Sequence, residues 1–244
     1  KGACFGEVAG WERTNWFAPA GKKAEYEYTY GRQNWFDYTA AECKATREAV
    51  AMFDQSSFGK FVLEGADAEQ IINNVSANDM SVPVGKLVYT QWLNERGGIE
   101  ADLTVTREAT DRYLVVTAAA TQVRDFQWLK DHIPAGARAT LTDVTSGSAV
   151  LSIMGPNSRA LLQSLTSTDM SNEAFPFGTS QIIDLGYARV RASRVTFVGE
   201  LGWELYIATE YATGVFDAIV AVGDKFGLKH AGYHALNSMR TEKG

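Results

Sequence analysis

Residues 86–118, KLVYTQWLNERGGIEADLTVTREATDRYLVVTA, hold the pattern that decides the fold. Three runs rich in Val, Thr, Tyr and Leu are separated by short polar turns, Gly97-Gly98 in the first and Thr110-Asp111 in the second. Glycine accepts positive φ at little steric cost, so turns this short close hairpins, and hairpins make antiparallel sheet. Parallel neighbours would instead need a crossover of roughly a dozen residues or more between them.

The same grammar continues on both sides. Upstream, AAECKATREAVAMFDQS (40–56) reads as a helix carrying Ala45, Val50, Met52 and Phe53. GKFVLEG (59–65) reads as a strand, and DAEQIINNVSAND (67–79) as a helix opened by Asp67. Downstream comes a helix over 120–133, then strands ATLTDVT (139–145) and SAVLSIM (148–154), then a helix over 156–165 with Pro156 in its first turn. SQIIDL, YARVRASRVTF and WELYIA are strands, and 211–227 is a helix. Strands joined by hairpins and followed by helices thus occur twice, which predicts an α+β fold of antiparallel sheets with flanking helices. The aromatic first 40 residues are expected to be irregular and to lie over this core or over a partner domain.

Composition removes several function classes. Twenty-three basic against twenty-nine acidic residues leave a net charge of −6 without Lys/Arg clusters. That argues against nucleic acid or an anionic membrane as a partner, since phosphate backbones demand concentrated positive charge. Cys4 and Cys43 form no C-x-x-C pair, so neither a zinc site nor a disulfide framework is indicated. No apolar run approaches the roughly 20 residues of a membrane span, and no signal-peptide h-region opens the chain. The absent initiator Met and the end at MRTEKG, in an apparent helix, suggest a fragment of something longer.

Phosphate-cradling G-x-x-x-x-G-K-[ST] and strand-linked G-x-G-x-x-G motifs are absent, so the chain carries no recognisable flavin or nicotinamide fold of its own. His230 and His234 have i,i+4 spacing, but Gly232 lies between them and no third ligand is nearby. Ordinary loop and helix-start positions are the better reading, and no metal is expected. No Ser-His-Asp arrangement is apparent either.

Strand alternation puts Glu100, Asp102, Thr104 and Thr106 on one face and Ala101, Leu103 and Val105 on the other. Parity alone favours a plain solvated strand face. A second acidic strand weighs against that. In VTFVGELGWELYI (195–207), Gly202, Glu204 and Tyr206 share a face, again after a glycine-containing turn.

At these two segments the chain resembles the glycine cleavage T-protein (aminomethyltransferase) family. GKLVYTQWLNERGGIEADLTVTR is similar to its folate-binding segment, and RVTFVGELGWELYI to its second signature. FDQSSFGKFVLEGADA, LSIMGPNSR and ALNSMRTEKG follow the family's order, so the likeness runs from about residue 40 to the end. GACFGEVAGWERTNWFAP resembles the junction after the flavin domain of dimethylglycine and sarcosine dehydrogenases, whose C-terminal half is a T-protein-like folate module.

The resemblance implies two interleaved α+β domains. One comprises 1–60, 139–179 and 236–244; the other comprises 61–138 and 180–235 and holds both acidic strands. An N-terminal flavin domain, with FAD confined to it, and a C-terminal β-barrel domain would lie outside this chain. The implied function is one-carbon transfer to tetrahydrofolate, capturing an oxidised methyl group as 5,10-methylenetetrahydrofolate. The implied partners are a methylated amine, or its iminium or formaldehyde product, and a flavin domain in cis. The compartment would be bacterial cytoplasm or eukaryotic mitochondrial matrix.

By this likeness Asp102 is the catalytic carboxylate, a proton acceptor in a partly desolvated cleft. Glu204 holds the pterin through two parallel N–H bonds, Tyr89 lines the pocket, and Arg240 lies near the ligand. A salt bridge of Arg240 to Glu242 or Glu204 is the competing reading. Many family members carry two adjacent aspartates after the turn where this chain has Ala101-Asp102, and Trp203 replaces the commoner Phe. Two alternatives stay open: a stand-alone aminomethyltransferase of glycine cleavage, and a non-catalytic folate-binding regulatory module.

Overall fold

The three hairpin-linked runs of 86–118 fold as antiparallel strands, around which a computed structural model describes residues 1–243. In chain order the elements are β1 (Ala3–Val8), β2 (Trp11–Phe17), α1 (Phe36–Glu48), β3 (Val50–Asp54), β4 (Gly59–Glu64) and α2 (Ala68–Val75). Next come β5 (Leu87–Leu93), β6 (Ile99–Ala109), β7 (Arg112–Thr117), α3 (Gln122–Asp131), β8 (Thr140–Asp143), β9 (Ser148–Met154) and α4 (Ser158–Gln163). The chain closes with β10 (Ser180–Leu185), β11 (Ala188–Ser193), β12 (Gly202–Ala208), α5 (Ala212–Gly223), β13 (Leu228–Ala231) and α6 (Tyr233–Lys243). Gly244, the last residue of the expected first domain, lies outside the described residues.

Two sheets carry the molecule, one of five strands in the order β5-β6-β7-β4-β8 and one of six in the order β10-β11-β12-β9-β3-β13. Every pairing in them is antiparallel except β13 with β3. In the five-stranded sheet the face bearing Phe61, Leu63, Trp92, Ala101, Leu103 and Val105 packs on α2 and α3 through Ile71, Ile72 and Leu129. In the six-stranded sheet Leu151, Ile153, Val190, Trp203 and Leu205 pack on α4 and α5 through Leu161, Leu162, Val215 and Ile219. The opposite faces meet each other: Val62, Leu114 and Val116 of one sheet against Val150 and Tyr206 of the other. The layers therefore run helix, sheet, sheet, helix, as two half-buried sheets require when each has a second apolar stripe to cover.

Three expectations change. Residues 3–17 are not irregular but form the β1–β2 hairpin, whose Trp16 is fully buried against Tyr38 (ring centroids 5.6 Å apart). Its turn places both Ala9 (φ 53°) and Gly10 (φ 82°) in the left-handed region. A two-residue turn of this kind demands that, and alanine there conceals the usual Asn-Gly or Asp-Gly signal. The helix expected over 40–56 ends at Glu48, and Val50–Asp54 becomes a buried strand between β9 and β13. The buried residues of α1 are polar, Thr39, Glu42 and Thr46, so the apolar residues that suggested a longer helix belong to the next element.

Pro156 stands just before the Asn157 N-cap of α4 rather than in its first turn. β6 pairs with β5 and β7, whereas β12 pairs with β9 along its length and with β11, so the acidic strands lie in different sheets. No helix among the described residues is long and apolar enough to cross a membrane.

Candidate functional site

Directly paired residues in a sheet point to the same side, so the register maps the two facing surfaces. On the five-stranded sheet, one row crosses from Tyr89 through Thr104 and Val116 to Lys60. Beside it, Gln91 pairs with Asp102. The next row on the other side, Leu87, Thr106, Leu114 and Val62, reaches the contact with Tyr206. Asp102 and Tyr89 thus lie on the face turned toward the second sheet, beyond the edge of the apolar contact.

Asp102 is exposed, not the partly desolvated group expected, because none of the described residues covers this end of the face. Gln91 Nε2 donates to its Oδ1 at 3.1 Å. Its carboxylate also raises the pKa of the Tyr89 phenol by accepting its hydrogen bond, with burial a lesser cause. Tyr89 keeps 57% of its surface exposed and presents a flat ring. Glu100 departs from the simple alternation. A bulge between Trp92 and Leu93 leaves it without a cross-strand partner, and Asn94 Nδ2 in the turn holds its carboxylate at 2.7 Å.

Glu204 lies in a polar row of the opposing sheet, paired with Ser193 on one side and Ser152 on the other. It is 6% exposed, and burial raises its pKa while the Tyr206 hydrogen bond pulls the other way. Tyr206 donates to its Oε2 at 2.6 Å. Oε1 accepts no hydrogen bond from any described residue. The neighbouring hydroxyls are engaged elsewhere, Ser152 with Gln55 Oε1 and Ser193 with Ser180 Oγ at 3.0 Å. A buried carboxylate with a vacant acceptor and no cation beside it suits a ligand edge that brings N–H donors.

Arg240, exposed on α6, stands over the Phe197 ring at 5.6 Å. Neither competing salt bridge forms among the described residues: Glu242 pairs with Arg47, and Glu204 with Tyr206. Phe197 meets Phe58 edge-on at 5.9 Å, and Phe58 also packs on the cluster containing Tyr206. A line of contacts therefore runs from Arg240 through two phenylalanines to the apolar cluster that includes Tyr206. Asp102 and Tyr89 belong to the facing surface, Tyr89 in the row of Val116 and Asp102 in the row beside it.

Tyr206, Gln91 and Phe197 are the residues of this region that sequence reasoning did not assign. Parity already set Tyr206 beside Glu204, whereas the bulge after Trp92 shifts the register that the Gly97-Gly98 turn alone would give, so the pairing of Gln91 with Asp102 had no sequence signal. Phe197 lies between β11 and β12, because the strand expected through it over YARVRASRVTF ends at Ser193. The histidines are dispersed: His230 sits in β13 between Phe17 and Phe216, where burial lowers its pKa to about 4, and His234 begins α6 beside Trp35. Two surface hollows of about 660 and 630 Å³ lie elsewhere, one lined by Glu69, Asn73 and Arg107, the other by Leu93, Arg96 and Trp128. Neither includes Asp102, Tyr89, Glu204 or Arg240.

Comparison with known proteins gives this arrangement a context. The model of the family described as "GCVT N-terminal domain" matches residues 1–244. The 4-methylaminobutanoate oxidase (formaldehyde-forming) of Paenarthrobacter nicotinovorans is 46% identical over 243 residues, covering 100% of this chain and 29% of that protein. Mitochondrial sarcosine dehydrogenase of Homo sapiens is 38% identical over 287 residues, covering 100% of this chain and 31% of that protein. The chain thus spans less than a third of the length of these curated relatives. Among solved structures, the glycine cleavage system aminomethyltransferase T of Bartonella henselae superposes with a TM-score of 0.79 at 24% identity, over 99% of this chain and 59% of that one. At that identity the superposition establishes the fold.

Proposed function

The chain belongs to the GCVT N-terminal domain family, and from that membership we propose that it is the tetrahydrofolate-binding, one-carbon transfer module of a flavin-dependent demethylating enzyme. The observation that carries this reading is Glu204: a buried carboxylate between two sheets, with Oε1 unengaged, across from a surface bearing Asp102 and Tyr89. The relatives' names support the substrate class, since sarcosine and 4-methylaminobutanoate are both N-methyl amines and one relative releases formaldehyde. The flavin half and the methylated amine belong to the proposal for the whole protein.

Tetrahydrofolate, when bound, supplies the nitrogens that take up the one-carbon unit. Glu204 offers two coplanar oxygens to two parallel N–H donors, which fixes both the position and the plane of an aminopyrimidinone edge. Oε2 can still accept, because the Tyr206 hydroxyl occupies only one of its lone pairs. The Tyr89 ring gives a flat apolar wall, and Arg240 a cation over Phe197 at the rim. Asp102 takes the proton released as the second carbon–nitrogen bond closes and stabilises positive charge on the incoming unit. Gln91, bonded to Oδ1, leaves Oδ2 for that proton. Ligand seated over Asp102 would exclude the water that now reaches it, strengthening both effects.

Calorimetric titration of tetrahydrofolate tests the reading. We expect saturable binding by the protein and a loss of about 100-fold or more in Glu204→Ala, the cost of removing a charged bidentate partner. Unchanged affinity in Glu204→Ala would refute it.

A further inference from the structure

Tyr206 follows Glu204 by two residues, so both side chains leave β12 on the same face. Its ring is gripped from both sheets, by Val62, Leu114 and Val116 of the facing sheet and by Val150 of its own. The hydroxyl at the end of that clamped ring is the one donor that reaches the Glu204 carboxylate among the described residues. Ser152 and Ser193, the cross-strand neighbours nearest to replacing it, are committed to Gln55 and Ser180.

We infer that Tyr206 is a positioning residue for ligand recognition: its hydroxyl, immobilised by packing between the sheets, pins Oε2 of Glu204 and thereby keeps Oε1 available to the N–H donors of the pterin edge. The inference rests on the folate reading for the identity of that edge, but the hold on the carboxylate is a property of the protein alone. A short hydrogen bond from a phenol whose ring cannot turn restricts the carboxylate to one plane. Without it the side chain can rotate, and a buried acid with no donor reverts to its neutral form. A protonated carboxyl then points a hydrogen at the ligand's own donors.

The charged surroundings of the pair are few. Arg191 of β11 and Glu108 of β6 face the Tyr206 hydroxyl and neutralise each other in an ion pair of 2.7 Å. β9 contributes only Ser152 and Val150. Burial drives the Glu204 pKa up, and the Tyr206 bond opposes that rise. Removing the hydroxyl must therefore raise it further.

Tyr206→Phe keeps the ring and removes the bond. The Glu204 carboxyl titration, followed by carbon-13 NMR or by its infrared carbonyl band, should move up by about one pH unit or more. Tetrahydrofolate binding should weaken about tenfold near neutrality and recover toward wild type at higher pH, where Glu204 ionises again. Incorporation of 3-fluorotyrosine at position 206 strengthens the donor and should move the titration down, which guards against a Phe variant that folds poorly. An unmoved Glu204 titration in both variants, or an affinity loss equal at every pH, overturns the inference. If the titration moves as expected while wild-type protein binds no tetrahydrofolate, the hold on the carboxylate stands and the folate reading falls.

Discussion

Glu100 and Asp102 stand two residues apart on one strand and have different work. Glu100 is spent on the turn, where Asn94 takes its carboxylate and the bulge removes it from the cross-strand rows. Asp102 stays in register, where its carboxylate meets only neutral donors, the Gln91 amide and the Tyr89 phenol. A carboxylate so lightly tied retains an oxygen for chemistry. In Asp102→Asn the amide keeps the shape and loses the basicity, so tetrahydrofolate affinity should hold within a few-fold. Formation of methylenetetrahydrofolate from formaldehyde should slow by about 100-fold or more, the usual weight of a positioned general base. Wild-type turnover in that variant, measured by stopped flow under saturating folate, would remove Asp102 from the reaction. Both acidic strands were legible from parity and from the resemblance. The bulge, the Gln91 contact and the Tyr206 hydrogen bond were not, because they depend on side-chain geometry between strands.

Most short antiparallel elements announced themselves in sequence where a local turn joined them; β3 and β13, joined to each other only through space, escaped. β13 pairs with β3, nearly 180 positions earlier, and β3 follows α1 across Ala49 with no glycine or proline to mark the change. The β1–β2 hairpin hid behind an alanine at a left-handed position. These hidden elements converge on Glu42 of α1, whose Oε1 accepts from Phe17 N at 2.8 Å and Oε2 from Gly232 N at 3.0 Å. One carboxyl thus ties the helix to β2 and to the turn between β13 and α6. Burial raises its pKa to about 7, and the two backbone bonds only partly offset that. A carboxyl whose folded pKa exceeds its unfolded one is stabilising in its protonated form. Its contribution is whole below about pH 4.5 and fades as pH rises to about 7, a change of roughly 3 kcal/mol. Glu42→Gln, permanently neutral, should lose this slope between pH 4.5 and 7 in urea unfolding, at the cost of one mismatched N–H contact. An identical slope in wild type and variant would assign the pH dependence to other groups.

At the scale of the molecule, the two sheets are separate hydrogen-bonded units that meet at an apolar contact and are joined at one end. Leu87 N donates to Gly178 O at 2.9 Å, Ser180 N to Gly85 O at 2.7 Å, and Arg191 pairs with Glu108 beside them. Each of the two facing surfaces carries half of the proposed site. A ligand bridging Glu204 and Asp102 binds the closed, folded arrangement and not the unfolded chain, so it must stabilise the whole by mass action. At one hundred times the dissociation constant that amounts to about 2.7 kcal/mol and an upward shift of the unfolding midpoint. Amide hydrogen exchange separates this from local ordering. Tetrahydrofolate should slow exchange in β6 and β12 together, although these strands share no hydrogen bond and belong to different sheets. With a ligand held by one sheet alone, protection would stay on one side and the partner strand would exchange at its unliganded rate. That result would leave the binding intact while denying that the two carboxylates serve one site, because no shared ligand would then connect them.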